Sequence, residues 1–253
     1  MTKIFYFSGT GNTYWSAKEI AEKLGDAEII PMHTEIKKQP LRIEADALVF
    51  MFPAYAYGMP LIARRFLIKA EIQAPYIAAL VTYGSSPGGA LGEAKRLLAR
   101  KKIKLNYAAR IPAVENYIPI FGAQSIEKQK QRLAMQTSAN EKEAAAIRSR
   151  VNKNVSAFKP FSSFVSTLFS TSCSKMNKLF NLSSECNACG LCARICPADA
   201  IAMSDDGKGP VFKNCCEQCQ ACLNFCPKKA INFGRMKKHT ERYHHPKVNW
   251  TDL

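Results

Sequence analysis

Eight of the ten cysteines in the chain fall into two copies of one pattern, Cys-x2-Cys-x2-Cys-x3-Cys-Pro. Cys186, Cys189, Cys192 and Cys196 precede Pro197, and Cys216, Cys219, Cys222 and Cys226 precede Pro227. Thiolates are soft ligands, and three of them on one tight loop can each hold one iron of a cubane cluster. The fourth cysteine of each run cannot reach the same cube. A zinc ribbon needs four ligands per ion and does not call for Cys-x3-Cys-Pro twice. A secretory disulfide framework fits no better, because the first 172 residues contain no cysteine.

The copies align at an offset of 30 residues, "CNACGLCARICPADAI" against "CEQCQACLNFCPKKAI". Residues 184–235 therefore read as a duplicated unit with pseudo-two-fold symmetry. Cys173 and Cys215 stand outside the pattern and are expected to be small buried or half-buried thiols.

The second chemical feature is "SGTGNT", residues 8–13, directly after the apolar run "KIFYF". Small residues there let backbone N–H groups and hydroxyls face a phosphate, and a helix starting near Gly11 adds its positive end. The loop lacks the lysine of a Walker A motif and the third glycine of the dinucleotide fingerprint, so neither nucleoside triphosphate hydrolysis nor dinucleotide binding is expected.

Positioning this loop requires a sheet. Strands are expected at 3–7, 27–32, 45–53, 76–84 and 104–112 with helices between them, giving an α/β, doubly wound, five-stranded parallel sheet followed by a second, small α+β domain. Residues 124–155 read as a long surface helix closing the sheet domain. The next segment places Phe161, Phe164, Val165, Leu168, Phe169, Met176, Leu179 and Phe180 at helical spacing after Pro160. Its apolar face could pack on a neighbouring module, cover a ligand as a lid, or touch a membrane surface. The expected organisation is a sheet domain over 1–157, an amphipathic connection over 158–183, the cysteine-rich domain over 184–235 and a polar surface tail over 236–253.

The chain has 253 residues, 47% hydrophobic and 22% charged, the composition of a globular protein. It has no run of about 18 apolar residues and its N-terminus lacks a signal h-region, so a cytoplasmic protein without a transmembrane segment is expected. The net charge of +16 is spread along the chain. It favours an acidic protein partner or an anionic small molecule; nucleic acid is not expected, since no basic stripe is interleaved with aromatics. His33, His239, His244 and His245 are expected to be solvated or capping groups, and no catalytic acid or base is assigned.

"SGTGNT" resembles the phosphate loop of flavodoxins, and the resemblance extends over roughly residues 1–120. It implies FMN, its phosphate held by Ser8, Gly9, Thr10, Gly11, Asn12 and Thr13. In "FPAYAYGMP", Pro53, Ala54, Tyr55, Tyr57 and Gly58 would flank the isoalloxazine. In "TYGSSPGGA", Thr82, Tyr83, Gly84, Gly88 and Gly89 would present backbone groups to the ring edge, and Asn116 is a further candidate. Flavodoxins often place an aromatic on each ring face, and Tyr55, Tyr57 and Tyr83 are all available for this.

The cysteine-rich region resembles two-cluster ferredoxins, which implies two [4Fe-4S] clusters with ligands exchanged between repeats. Cys186, Cys189, Cys192 and Cys226 would hold one; Cys216, Cys219, Cys222 and Cys196 would hold the other. Together the halves resemble the flavodoxin–ferredoxin fusion proteins of anaerobic bacteria and archaea. The resemblance implies an electron-transfer protein that takes electrons from a low-potential donor, such as an acidic ferredoxin or flavodoxin, and relays them through its clusters to FMN. The flavin would then serve a redox partner or, in the alternative reading, reduce a small organic substrate as an enzyme. A redox sensor is a third class, without an output module to support it.

Overall fold

In the computed structural model, residues 1–153, 160–236 and 240–253 are described. The expected end of the long helix near Val155, the boundary at 157/158, His239 and the Phe161 side chain lie outside the described residues.

The apolar runs form β1 (Thr2–Tyr6), β2 (Ala27–Pro31), β3 (Ala47–Pro53), β4 (Ile77–Tyr83) and β5 (Tyr107–Pro112). They pair in parallel in the order β2-β1-β3-β4-β5. Strands β3 and β4 lie inside the sheet and are buried on both faces, which explains why "ALVFMFP" and "IAALVTY" are apolar without alternation.

Four helices cover the sheet: α1 (Asn12–Leu24), α2 (Leu61–Lys69), α3 (Ala90–Arg100) and α4 (Ile126–Arg148). Alternate strand residues feed opposite cores. Phe5, Phe50, Phe52 and Val81 pack with Phe66 of α2 and Leu98 of α3. Ile4, Val49, Met51 and Leu80 pack on the other face with Ile20 of α1 and Ile147 of α4.

Helix α4 is closed at its start by Ser125, whose hydroxyl accepts from the Lys128 amide at 3.3 Å. It stops at Arg148, short of the expected end, as Arg150 turns left-handed (φ 49°). Its inner face is polar as well as apolar. Gln136 donates to the Asn12 carbonyl and the Ser16 hydroxyl, both at 2.8 Å, so this helix buttresses the turn that begins α1.

The cysteine-rich part follows α5 (Pro160–Cys173) and a 3-10 turn, Ser174–Leu179. It contains β6 (Phe180–Leu182), α6 (Leu191–Arg194), β7 (Ile201–Met203), β8 (Pro210–Phe212), α7 (Ala221–Asn224) and β9 (Ile231–Phe233). Strands β6 and β9 form one antiparallel pair, β7 and β8 another. The duplication is visible in the backbone. Left-handed residues recur at equivalent places: Ala188 and Gln218 (φ 52° and 54°), Gly190 and Gln220 (73° and 61°), Asp199 and Lys229 (51° and 48°).

The polar C-terminus differs from the surface tail expected of it. Tyr243, His245 and Val248 are buried. Arg242 donates to the Lys229 and Ile231 carbonyls (3.2 and 2.8 Å), which fastens the segment to β9. Its polar groups therefore bond to protein instead of water, a distinction composition does not record. Among the described residues no helix is long and apolar enough to cross a membrane.

Candidate cofactor sites

The loops after β1, β3, β4 and β5 all emerge at the carboxyl edge of the sheet, around the point where strand order reverses between β1 and β3. They enclose a cavity of about 320 Å³, within the range of small-molecule sites. Ser8, Gly9, Thr10, Asn12, Thr13, Pro53, Ala54, Tyr55, Tyr57, Thr82, Tyr83, Gly84 and Asn116 line it. Gly11, Gly58, Gly88 and Gly89 do not; they shape the loops from behind. Gly11 adopts φ 94°, and a Cβ there would lie 2.9 Å from Val248 and 3.0 Å from His245. Gly88 is also left-handed (φ 53°), and its neighbour Gly89 donates to the Tyr57 carbonyl at 2.8 Å.

The residues present fit a bound phosphate. Thr10, Asn12 and Thr13 are buried, yet their amides have no hydrogen-bond partner among the described residues; the first backbone bond of α1 is Trp15 N–H to the Gly11 carbonyl. Amides free at a buried helix start suit an anion. The surrounding side chains are locked. Ser8 accepts from the Gly11 amide (3.1 Å), Thr13 and Thr82 share a hydroxyl bond (2.7 Å), and Asn116 donates to the Thr10 hydroxyl (2.5 Å).

Three further contributors complete the surroundings, the last two not visible in the sequence. Phe169 of α5 and Met176 of the following turn line the cavity, so the amphipathic segment borders it. Gln218, between two motif cysteines, also lines it. The third is the C-terminal segment: His245 N–H donates to the Thr10 carbonyl (2.8 Å) and the Tyr243 hydroxyl to Asn12 Oδ1 (2.7 Å). Burial pushes the Tyr243 phenol far up, so it is a donor throughout the working pH range.

The cysteines gather in two further cavities. One is lined by Cys186, Cys189, Cys192 and Cys226, the other by Cys196, Cys216, Cys219 and Cys222, so each takes its fourth cysteine from the other repeat. Among the described residues no three His, Cys, Asp or Glu side chains converge as a single ion requires. Sulfurs that cap different corners of a cubane do not converge either, so the arrangement suits a cluster and not one zinc ion. Burial pushes the Cys192 and Cys216 thiols up to about 11 and raises those of Cys196, Cys219 and Cys222. Loading metal must therefore displace protons. The Ala200 and Ala230 amides donate to Cys196 and Cys226 sulfur at 3.3 Å, one bond in each repeat.

Cys173 is buried with its Sγ directed at the Cys216 carbonyl (3.1 Å), while Cys215 is exposed; neither lines these cavities. Of the described histidines, His33 is half-buried and held below its ordinary range by burial, and none lines the sheet-edge cavity.

The second cysteine cavity adjoins the phosphate loop. A Cβ on Gly9 would stand 2.3 Å from the Cys219 carbonyl oxygen and 2.9 Å from its Cβ, so only glycine permits this approach. Beside it, buried Glu217 accepts from the Ile62 amide at the start of α2 (3.1 Å) and from Arg65 (2.6 Å). Burial raises the Glu217 carboxyl, while the amide and Arg65 act against that shift.

Residues 183–202 match the family description "4Fe-4S binding domain". Among solved structures, similar chains include a Fusobacterium nucleatum flavodoxin bound to flavin mononucleotide (14% identity, 60% of this chain and 98% of that one, TM-score 0.42). Another is two-electron reduced Megasphaera elsdenii flavodoxin (17% identity, 56% and 99%, TM-score 0.38). A third is a flavodoxin from the domain Archaea (18% identity, 57% and 98%, TM-score 0.34). No curated protein matches the chain. In sheet order, switch-point loops and cysteine motif, the chain joins a flavodoxin-like fold to a region that matches a 4Fe-4S binding domain.

Proposed function

We propose that the protein is a one-electron to two-electron relay, holding two [4Fe-4S] clusters in the crossed cysteine quartets and FMN at the sheet edge. When bound, the clusters would pass single electrons at low potential and the flavin would take up one or two. The observation that carries this reading is the contact between Gly9 of the phosphate loop and Cys219 of the second quartet. It makes the inner cysteine loop and the flavin loop neighbours by construction. The first quartet offers the entry, because Cys189 is exposed whereas its counterpart in the second repeat, Cys219, is half-buried.

The exit favours a redox partner over an enclosed substrate. Tyr57, Ile120 and Phe121, at 41%, 72% and 59% exposure, rim the cavity. The carboxylate in its lining, Glu115, accepts from the Ser85, Asn116 and Tyr117 amides. The basic surface suits an acidic donor such as a ferredoxin, with exchange fastest at low salt.

The test compares protein loaded with FMN and clusters against protein loaded with FMN alone, each mixed anaerobically with a reduced acidic ferredoxin. Flavin reduction at least tenfold faster with clusters present, and slowed by added salt, is expected. Equal rates in the two preparations would overturn the relay.

A further inference from the structure

Tyr55 carries a buried hydroxyl with no hydrogen-bond partner among the described residues. Such groups are rare in folded proteins and each calls for a cause. The ring itself lines the sheet-edge cavity and meets Phe7 edge-on, with centroids 6.2 Å apart. Its backbone is fixed by paired bonds with Gly58, both 2.9 Å, across a turn in which Ala56 and Tyr57 are left-handed (φ 44° and 66°). The hydroxyl lies beside Gly9 and the cysteine loop. A Cβ placed on Gly9 would be 2.8 Å from Tyr55 Oη and 2.9 Å from Cys219 Cβ, so the hydroxyl and that cysteine converge on one spot.

Four ionisable groups face this hydroxyl: Cys219, Glu217, Cys173 and Cys216. Both Glu217 oxygens are engaged, one by the Ile62 amide and one by Arg65. Cys173 is turned to the Cys216 carbonyl, and Cys216 sulfur already accepts from the Gln218 amide at 3.3 Å. The acceptor that best fits the orphaned donor is the sulfur of Cys219 once it is a metal-bound thiolate.

We propose that Tyr55 donates an O–H···S hydrogen bond to the Cys219 thiolate of the inner cluster while its ring stands against the flavin, so that one side chain touches both cofactors. The proposal rests on the relay reading and deepens it. A donor to a cluster sulfur stabilises the more negative, reduced state and raises that cluster's potential. The inner cluster then becomes the more easily reduced of the two, which gives electrons a direction: in at the Cys189 side, out past Tyr55.

Wild-type and Tyr55→Phe protein, both loaded with FMN and with iron and sulfide, are titrated anaerobically with EPR detection of each cluster. Phenylalanine keeps the ring and removes only the O–H. The cluster that is shielded from a paramagnetic relaxant in solution should become about tenfold harder to reduce, roughly 59 mV for a one-electron couple. The accessible cluster should keep its potential. Resonance Raman adds a second reading: exchange into D2O should shift an Fe–S(Cys) stretch more in the wild type than in the variant, since the amide donors to Cys196 and Cys216 sulfur are common to both. Two clusters with unchanged potentials in the variant and the same deuterium shift in both proteins would overturn the Tyr55 assignment alone. Wild-type protein that loads without two clusters would overturn the relay reading and this proposal with it.

Discussion

Glu217 and Arg65 meet at 2.6 Å across the junction of the two halves, the carboxylate buried and the guanidinium half-exposed. Glu217 sits between two cysteines of the inner quartet and also caps α2 through the Ile62 amide. One side chain thus fixes the cysteine loop to the sheet domain. Arg65→Ala strips a partner from a buried carboxylate and should cost about 3 kcal/mol, the low end for such a loss, because the Ile62 amide remains. Urea unfolding of the loaded protein measures it; a change under about 0.5 kcal/mol, the range of an ordinary surface substitution, would contradict the clasp.

The C-terminal segment makes stability depend on pH. Burial, with Lys247 and His244 adding to it, lowers the His245 imidazole to about 4. Its ring stacks on Trp15 (5.0 Å between centroids), and its Nδ1 accepts from the Lys247 amide at 3.3 Å, a role only the neutral ring can fill. Between about 6.5 and about 4 the unfolded chain binds the extra proton, so stability contributed by the neutral ring is full above that window and lost as pH falls through it. The loss amounts to roughly 3 kcal/mol. His245→Gln has no such titration, so the stability gap between the two proteins at pH 7 should close or reverse by pH 4.5. Parallel curves would count against the assignment. Since His245 N–H also holds the Thr10 carbonyl, wild-type FMN retention should weaken over the same window.

At Gly9 the obstruction to a side chain is backbone, the Cys219 carbonyl, and cannot rotate away. Gly9→Ala should push the phosphate loop and the cysteine loop apart at a cost of about 1–3 kcal/mol. FMN binding, read by quenching of flavin fluorescence, should weaken by tenfold or more, and cluster-to-flavin transfer should slow. Unchanged affinity and rate would mean the two loops are not in contact in solution.

The crossed quartets make a test of their own. Cys226→Ser should abolish the cluster shared with Cys186, Cys189 and Cys192, removing about half of the bound iron. The surviving EPR signal should resist a soluble relaxant, because Cys219 is half-buried where its counterpart Cys189 is exposed. A surviving signal that the relaxant broadens would place Cys226 with Cys216, Cys219 and Cys222 instead.

What could be read in advance was local in the chain. Strands β3 and β4 are uninterrupted apolar runs, the phosphate loop is six consecutive residues, and the repeat is a spacing. What escaped depends on partners far along the chain. Glu217 and Gln218 belong to no periodic pattern; one is fixed by α2, about 150 residues earlier, and the other by the cavity it borders. Tyr243 and His245 look solvated in a segment of Lys, Arg and His until Asn12 and Thr10 are seen to receive them. The three cavity tyrosines were indistinguishable because what separates them is a contact between segments far apart in the chain, the approach of the Tyr55 hydroxyl to Gly9 and Cys219.

The central claim is that clusters and flavin form one path within a single molecule, and flash photoreduction tests it most directly. In protein carrying all cofactors, a photosensitiser that reduces the exposed cluster should be followed by flavin reduction at a rate independent of protein concentration. Cluster bleaching should recover with the same time constant. Flavin reduction that scales with protein concentration, or clusters that stay reduced while the bound flavin stays oxidised, would contradict it.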